Sequence, residues 1–279
     1  MFIQDNSNPI AMKRILLSFC FLLMICPAFS QIYLRANIGY NLPVGKSLID
    51  YEEHYVAANA DAATLKGVYG SYGTGLSFQL GFGGAFSNAI LGYDIELSYV
   101  LGKKHDFSSE YVSDFYESRS DGTRQSRSFQ FAPSLTFTAV TGKFQPFVRV
   151  GPVLAITKVE YKESAFENYT PSAYTYEFEY TGDLQIGFKG ALGVSYPLND
   201  HIHLFTEMNF ISLTFAPDKR KTTAHTEDGE DAMSDIDPDD IEIELEEEAE
   251  LEGEGPTPTL KSSYSMSTLG LQFGVRFVF

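Results

Sequence analysis

The 279-residue chain carries a formal net charge of −17, but sixteen Asp or Glu and no Lys or Arg fall between residues 227 and 254, so all the rest amounts to −1. The acidity is one segment rather than a surface, which leaves no cationic patch for nucleic acid, and no nucleic-acid partner is expected. Both cysteines, Cys20 and Cys26, lie near the N-terminus, so residues 31 to 279 have no disulfide framework and no cysteine metal site.

In chain order the first element is targeting sequence. Met12-Lys13-Arg14 precedes the apolar run "ILLSFCFLLMIC", which is too short to span a membrane as a helix and the right length for a secretory signal peptide. Ala28 and Ser30 occupy the positions that a signal peptidase reads, so residues 1 to 30 are expected to be removed and 31 to 279 to form the working domain. A lipidated Cys26 is the alternative, but Ile25 and Met24 precede it where lipoprotein signals carry small residues.

From Gln31 onward no stretch has the ~20 consecutive apolar residues of a membrane helix, and the recurring period is two. Alternation runs through 32–42, 75–86, 91–101, 129–137, 148–156, 184–196, 202–210 and 269–279. Eight segments of about ten residues suit strands tilted across a bilayer. Three connections are short ("SNA", "TGKFQ", "ND"), and the four between them, about 43–73, 102–127, 159–181 and 217–262, are long. That order predicts an all-β, up-and-down antiparallel barrel with short periplasmic turns and long outer loops. Ten strands result if a long loop hides a hairpin.

The competing architecture is an exported β-sandwich, whose solvent face would be charged or strongly polar. Here the polar face is interspersed with glycine (Gly81, Gly83, Gly187, Gly193, Gly270, Gly274), and the apolar face is almost uncharged in its centre. A lipid-facing charge near the midplane costs about 2–4 kcal/mol, which explains that absence.

These residues resemble the small outer-membrane β-barrels of Gram-negative bacteria, the OmpA transmembrane domain and OmpX among them, over nearly all of 31 to 279. The most specific element is the terminal strand: Leu269, Leu271, Phe273, Val275, Phe277 and the final Phe279 resemble the signal read by the barrel-assembly machinery. The resemblance implies a monomeric barrel in the outer membrane, surrounded by lipid and lipopolysaccharide, and it brings no catalytic motif and no cofactor.

The lumen-facing set is Arg35, Asp94, Glu96, Arg149, Lys189, Glu207 and Arg276, with Gln79, Gln130, Gln185, Asn209 and Gln272. An eight-stranded barrel is just wide enough for side chains to fill it, so these charges are expected to pair and plug the lumen. A narrow porin-like channel for small solutes is the alternative. The five histidines show no spacing that places a base beside a nucleophile, so they read as solvated loop histidines and no enzymatic activity is expected.

Two outer segments stand out as candidates. "AYTYEFEYTG" shares parity with Leu184 and Ile186, predicting an outward extension of the sixth strand. Tyr180 would then join the interfacial belt, with Tyr174 and Tyr176 above it, either as part of a tall, twisted hairpin with no partner of its own or as binding residues for an extracellular protein. In the acidic loop, Asp235, Asp237, Asp239 and Glu246 have calcium-loop spacing, but Asp240 stands where that loop turns on glycine, and no metal is expected. The chain therefore reads as a non-enzymatic, surface-exposed structural or binding protein.

Overall fold

A computed structural model describes residues 31–56, 63–86, 90–113, 116–139, 142–168, 172–245 and 261–279. The expected signal peptide lies outside these residues. Eight strands form the wall: β1 (Gln31–Pro43), β2 (Gly75–Ala85), β3 (Leu91–Gly102), β4 (Glu117–Thr138), β5 (Gln145–Glu167), β6 (Gln185–Pro197), β7 (Ile202–Ser212) and β8 (Thr268–Val278). Each is antiparallel to the next, and β8 pairs with both β7 and β1, which closes the barrel and leaves the wall no free edge.

The period-two pattern sets the two faces. On β1 and β8, Leu34 lies opposite Phe277, Ile38 opposite Phe273 and Leu42 opposite Leu269, all exposed on the outside; Arg35 lies opposite Arg276 on the inside. The outward band continues through Phe78, Leu80, Leu97, Phe129, Ile156, Ile186, Phe188 and Leu192. So large an exposed apolar surface on a closed barrel is the surface that lipid covers. Aromatic pairs sit at both of its borders: Tyr99 with Phe129 towards the outside, and Phe86 with Tyr93 and Phe144 with Tyr196 at the short-turn end.

β4 and β5 are twice as long as their neighbours, at 22 and 23 residues, and record where lipid gives way to water. The outward face of β5 reads Val148, Val150, Leu154, Ile156, then Lys158, Glu160 and Lys162; that of β4 reads Phe137, Leu135, Phe131, Phe129, then Arg127 and Gln125. Phe129 pairs with Ile156 and Arg127 with Lys158, so both strands cross the boundary at the same pair. From Phe129 to Phe137 the strand covers roughly 26 Å, about the height of a barrel's apolar band.

Beyond that boundary the segments expected as loops are largely strand. His105–Val112 pairs with β4, and Ser47–Val56 runs parallel to it, followed by Ala63–Gly70. On the other side Ser172–Thr181 pairs with β5 and Lys219–Glu227 with Ser172–Thr181, while Glu230–Asp231 and Glu242–Glu244 both pair with Lys219–Glu227. The hairpins are therefore present, but they widen an extracellular sheet built on β4 and β5 instead of adding wall strands. One of them turns on Asp228-Gly229, both at positive φ, as a tight hairpin requires.

Candidate functional site

Arg35 on β1 lies across β2 and reaches β3. Its Nη2 donates to Asp94 Oδ1 and Glu96 Oε2 at 2.6 Å each, its Nε to Asp94 Oδ2 at 2.9 Å and its Nη1 to Asn37 Oδ1 at 2.8 Å. This path exists because the intervening β2 residue is Gly81: a Cβ there would lie 2.5 Å from Arg35 Nε. Arg149 on β5 continues the chain, donating to Asp94 Oδ1 at 3.0 Å on one side and to Glu207 of β7 on the other. Lys189 on β6 pairs with Glu96, and Tyr33 donates its hydroxyl to Asp94 Oδ2 at 2.9 Å.

Most of this chemistry sits on the odd-numbered strands. The residues between them are small: Gly81 and Gly83 on β2, Ala132 and Ser134 on β4, Ala191 and Gly193 on β6. Large side chains from alternate strands thus interdigitate over gaps left by their neighbours, which is how a narrow barrel fills its interior. All seven predicted lumen residues are buried, none more than 6% exposed, and the space left beside Glu96, Arg149 and Lys189 is a cavity of about 10 Å³, no more than a single water needs. Arg276 stands apart: its guanidinium lies over the rings of Tyr33, Phe147 and Phe205 at 4.4, 5.3 and 5.8 Å, and its Nε and Nη2 have no hydrogen-bond partner.

A second closure at the outer mouth was not legible in the sequence. Ile49, Tyr72, Leu213, Phe215 and Met266, from segments outside the barrel strands, pack with inward Ala155, Val159 and Ile211 into an apolar cap. Tyr72 meets Tyr264 and Phe215 edge-on at 5.2 and 6.2 Å, and burial pushes its phenol up to about 12. His105 packs edge-on to Tyr72 at 6.4 Å, and burial first, then Lys103, holds its imidazole below the ordinary histidine range.

The outer sheet inverts the polarity of the wall. Its outside is charged, with Lys162–Glu177 at 2.6 Å, Arg127–Glu160 at 3.0 Å and Lys219–Glu242 at 3.1 Å, and its inside is aromatic. Water has replaced lipid outside, so the apolar side chains turn inward. Phe107 stacks on Tyr161 (5.2 Å) by lying over Gly122, where any Cβ would enter its ring. Tyr161 meets Phe178, Phe178 stacks on Tyr176, and Tyr176 stacks on His225 at 4.3 Å. Arg124 covers Tyr161 at 4.9 Å and Arg220 covers Phe178 at 5.1 Å. Burial, and then the 2.6 Å hydrogen bond to Glu163, push the Tyr161 phenol above the usual range.

Two expectations are corrected here. The sixth strand does continue outward as Ser172–Thr181, but the register against β5 slips by one residue between them: Ala155 faces Gln185, whereas Lys158 faces Thr181. A one-residue slip exchanges the faces, so Tyr180 lies opposite buried Val159 on the inside and is not part of the interfacial belt. Tyr174 and Tyr176 share that inner face. His225 is not solvated either; it is buried between Tyr174 and Tyr176. Of the acidic residues with calcium-loop spacing, Asp237 accepts from the Asp239 backbone N–H as the cap of a short helical turn, Asp235 lies in the preceding turn, and Glu246 is outside the described residues. No His, Cys, Asp or Glu group among the described residues is arranged to hold a metal ion.

No family model matches the chain, and no curated protein matches it. Solved structures similar to it include a major outer membrane protein from Thermus thermophilus (TM-score 0.37, 11% identity, 89% of this chain and 98% of that one). Neisserial surface protein A is similar with TM-score 0.34 and 10% identity over 88% of this chain and 96% of that one. The attachment invasion locus protein Ail of Yersinia pestis gives TM-score 0.33 and 8% identity over 89% and 98%. Independently of these distant likenesses, a closed barrel of eight antiparallel strands, apolar outside and ionic within, is the construction of a bacterial outer-membrane protein.

Proposed function

We propose that this protein is a non-conducting, non-enzymatic outer-membrane barrel that acts by binding an extracellular protein partner through its outer sheet. It works as a monomer set in outer-membrane lipid and lipopolysaccharide, placed there by the barrel-assembly machinery, with the outward row Leu269 to Phe279 as the address. The observation that carries this reading is where the chain has spent its ordered structure. The lumen is crossed by a buried ion-pair layer and capped by an apolar cluster, while β4 and β5 carry a broad sheet with a half-buried aromatic inner face into the medium. Aromatic rings flanked by Arg124 and Arg220 are the side chains that most often anchor protein interfaces.

Tyr174 and Tyr176 lie at the far end of that face and support the binding role by position. The test is replacement of both by Ser, with cell or purified-protein adhesion measured on cells carrying equal surface levels of each barrel. Adhesion is expected to fall; unchanged adhesion would remove the aromatic face from the reading.

A further inference from the structure

Among the described residues the lumen holds four cations and three carboxylates, and the surplus has a location. Asp94 is shared by Arg35 and Arg149, Glu96 by Arg35 and Lys189, and Glu207 is held by Arg149, so each lumen carboxylate is engaged by a cation other than Arg276. Arg276 is 6% exposed, and its neighbours in register are Arg35 on β1 and His203 on β7, neither of which can neutralise it. A buried charge without a counter-charge is strongly unfavourable, and the faces of three aromatic rings offset part of that.

Arg276 lies on the periplasmic side of the ion-pair layer, where the short-turn end of the barrel opens into a vestibule of about 780 Å³. The vestibule is lined by residues of all eight strands, Tyr33, Thr136, His203 and Arg276 among them. Three of these present buried polar atoms without a partner: Arg276 Nε and Nη2, His203 Nδ1 and Thr136 Oγ1. Buried polar atoms able to donate, lining one cavity with an uncompensated cation, are what an oxyanion satisfies. At the rim Lys143 adds a positive charge and Asp200 a negative one, both exposed, so the rim does not cancel the charge at the floor.

We propose that this vestibule is an anion site, in which Arg276, with His203 and Thr136, takes the carboxylate or phosphate group of a small soluble molecule from the periplasm. The ligand is a soluble anion and not a lipid headgroup because the wall around the vestibule is hydrogen-bonded strand to strand. At the level of the vestibule every seam between neighbouring strands is paired among the described residues, so entry is through the open mouth and not sideways from the inner leaflet. The site is independent of the outer sheet and of whatever that sheet binds.

The experiment is a titration of the refolded chain in zwitterionic detergent with inorganic phosphate and, separately, acetate, at constant ionic strength with chloride as the balancing salt. Saturable binding in the millimolar range is expected in the wild type. R276Q should weaken it by at least about tenfold, the loss of a charge-assisted pair, and H203A by less. Folding of the variants is checked by circular dichroism. Should R276Q not fold, the wild type decides alone: the Arg276 Nε–H resonance should shift saturably with phosphate and not with chloride. Absence of saturable oxyanion binding in the wild type, or equal affinity in folded R276Q, would overturn the proposal.

Discussion

At the scale of single residues, Asp94 is the keystone of the lumen. Its two oxygens take Arg35, Arg149 and Tyr33, and it is fully buried. Asp94→Ala would leave two guanidinium groups competing for Glu96 and Glu207, so the folded barrel should lose about 3–5 kcal/mol, read as a lowered midpoint in urea. A change within experimental error would show that water screens the lumen. Gly81 belongs to the same unit, because Arg35 needs the space that a side chain there would occupy. Inward glycines were visible in the sequence, but which side chain each one accommodates was not, since Arg35 and Asp94 are 59 residues apart.

At the scale of strands, the alternation that marks β1 to β8 is a local property, because successive side chains of a strand face opposite media and each medium selects its own chemistry. Placement within the membrane follows from where the outward face changes character. Leu97 lies midway along the apolar row Tyr93 to Leu101, whereas Ile156 borders Lys158. Leu97→Arg should therefore cost about 2–4 kcal/mol and Ile156→Arg only about 0–1 kcal/mol in refolding equilibria with lipid. Equal costs would mean that the boundary is misplaced. Alternation alone misassigned Tyr174 to Tyr180, because parity carries through a strand only while register holds, and Gly182-Asp183 breaks it. The Asp228-Gly229 turn is a signal that the sequence did contain for the outer sheet.

At the scale of the molecule, the barrel is closed twice: by ions near the periplasmic vestibule and by the apolar cap at the outer mouth. In planar bilayers the protein is expected to show no large, steady conductance, and a stable open level in the wild type would overturn the plugged reading. The same construction explains the inverted outer sheet. Inside the membrane, lipid wets the outside and the lumen must be polar. Above it, water wets the outside and the aromatic residues gather on the inner face, continuous with the cap through Val159 and Tyr180.

By itself the sequence determined eight alternating wall segments, with ten strands left open, the face each wall residue takes, the expected closure by the last strand and the set of charges in the lumen. All four follow from period-two patterning and turn length, which act between residues close along the chain. Only the tertiary structure decided how those charges pair, that Arg276 is the one left over, that distant segments meet in a cap, and that the aromatic row points inward. Each of these depends on register between strands, and register is set by contacts between residues far apart in sequence, where a slip of one position moves a side chain from lipid to lumen.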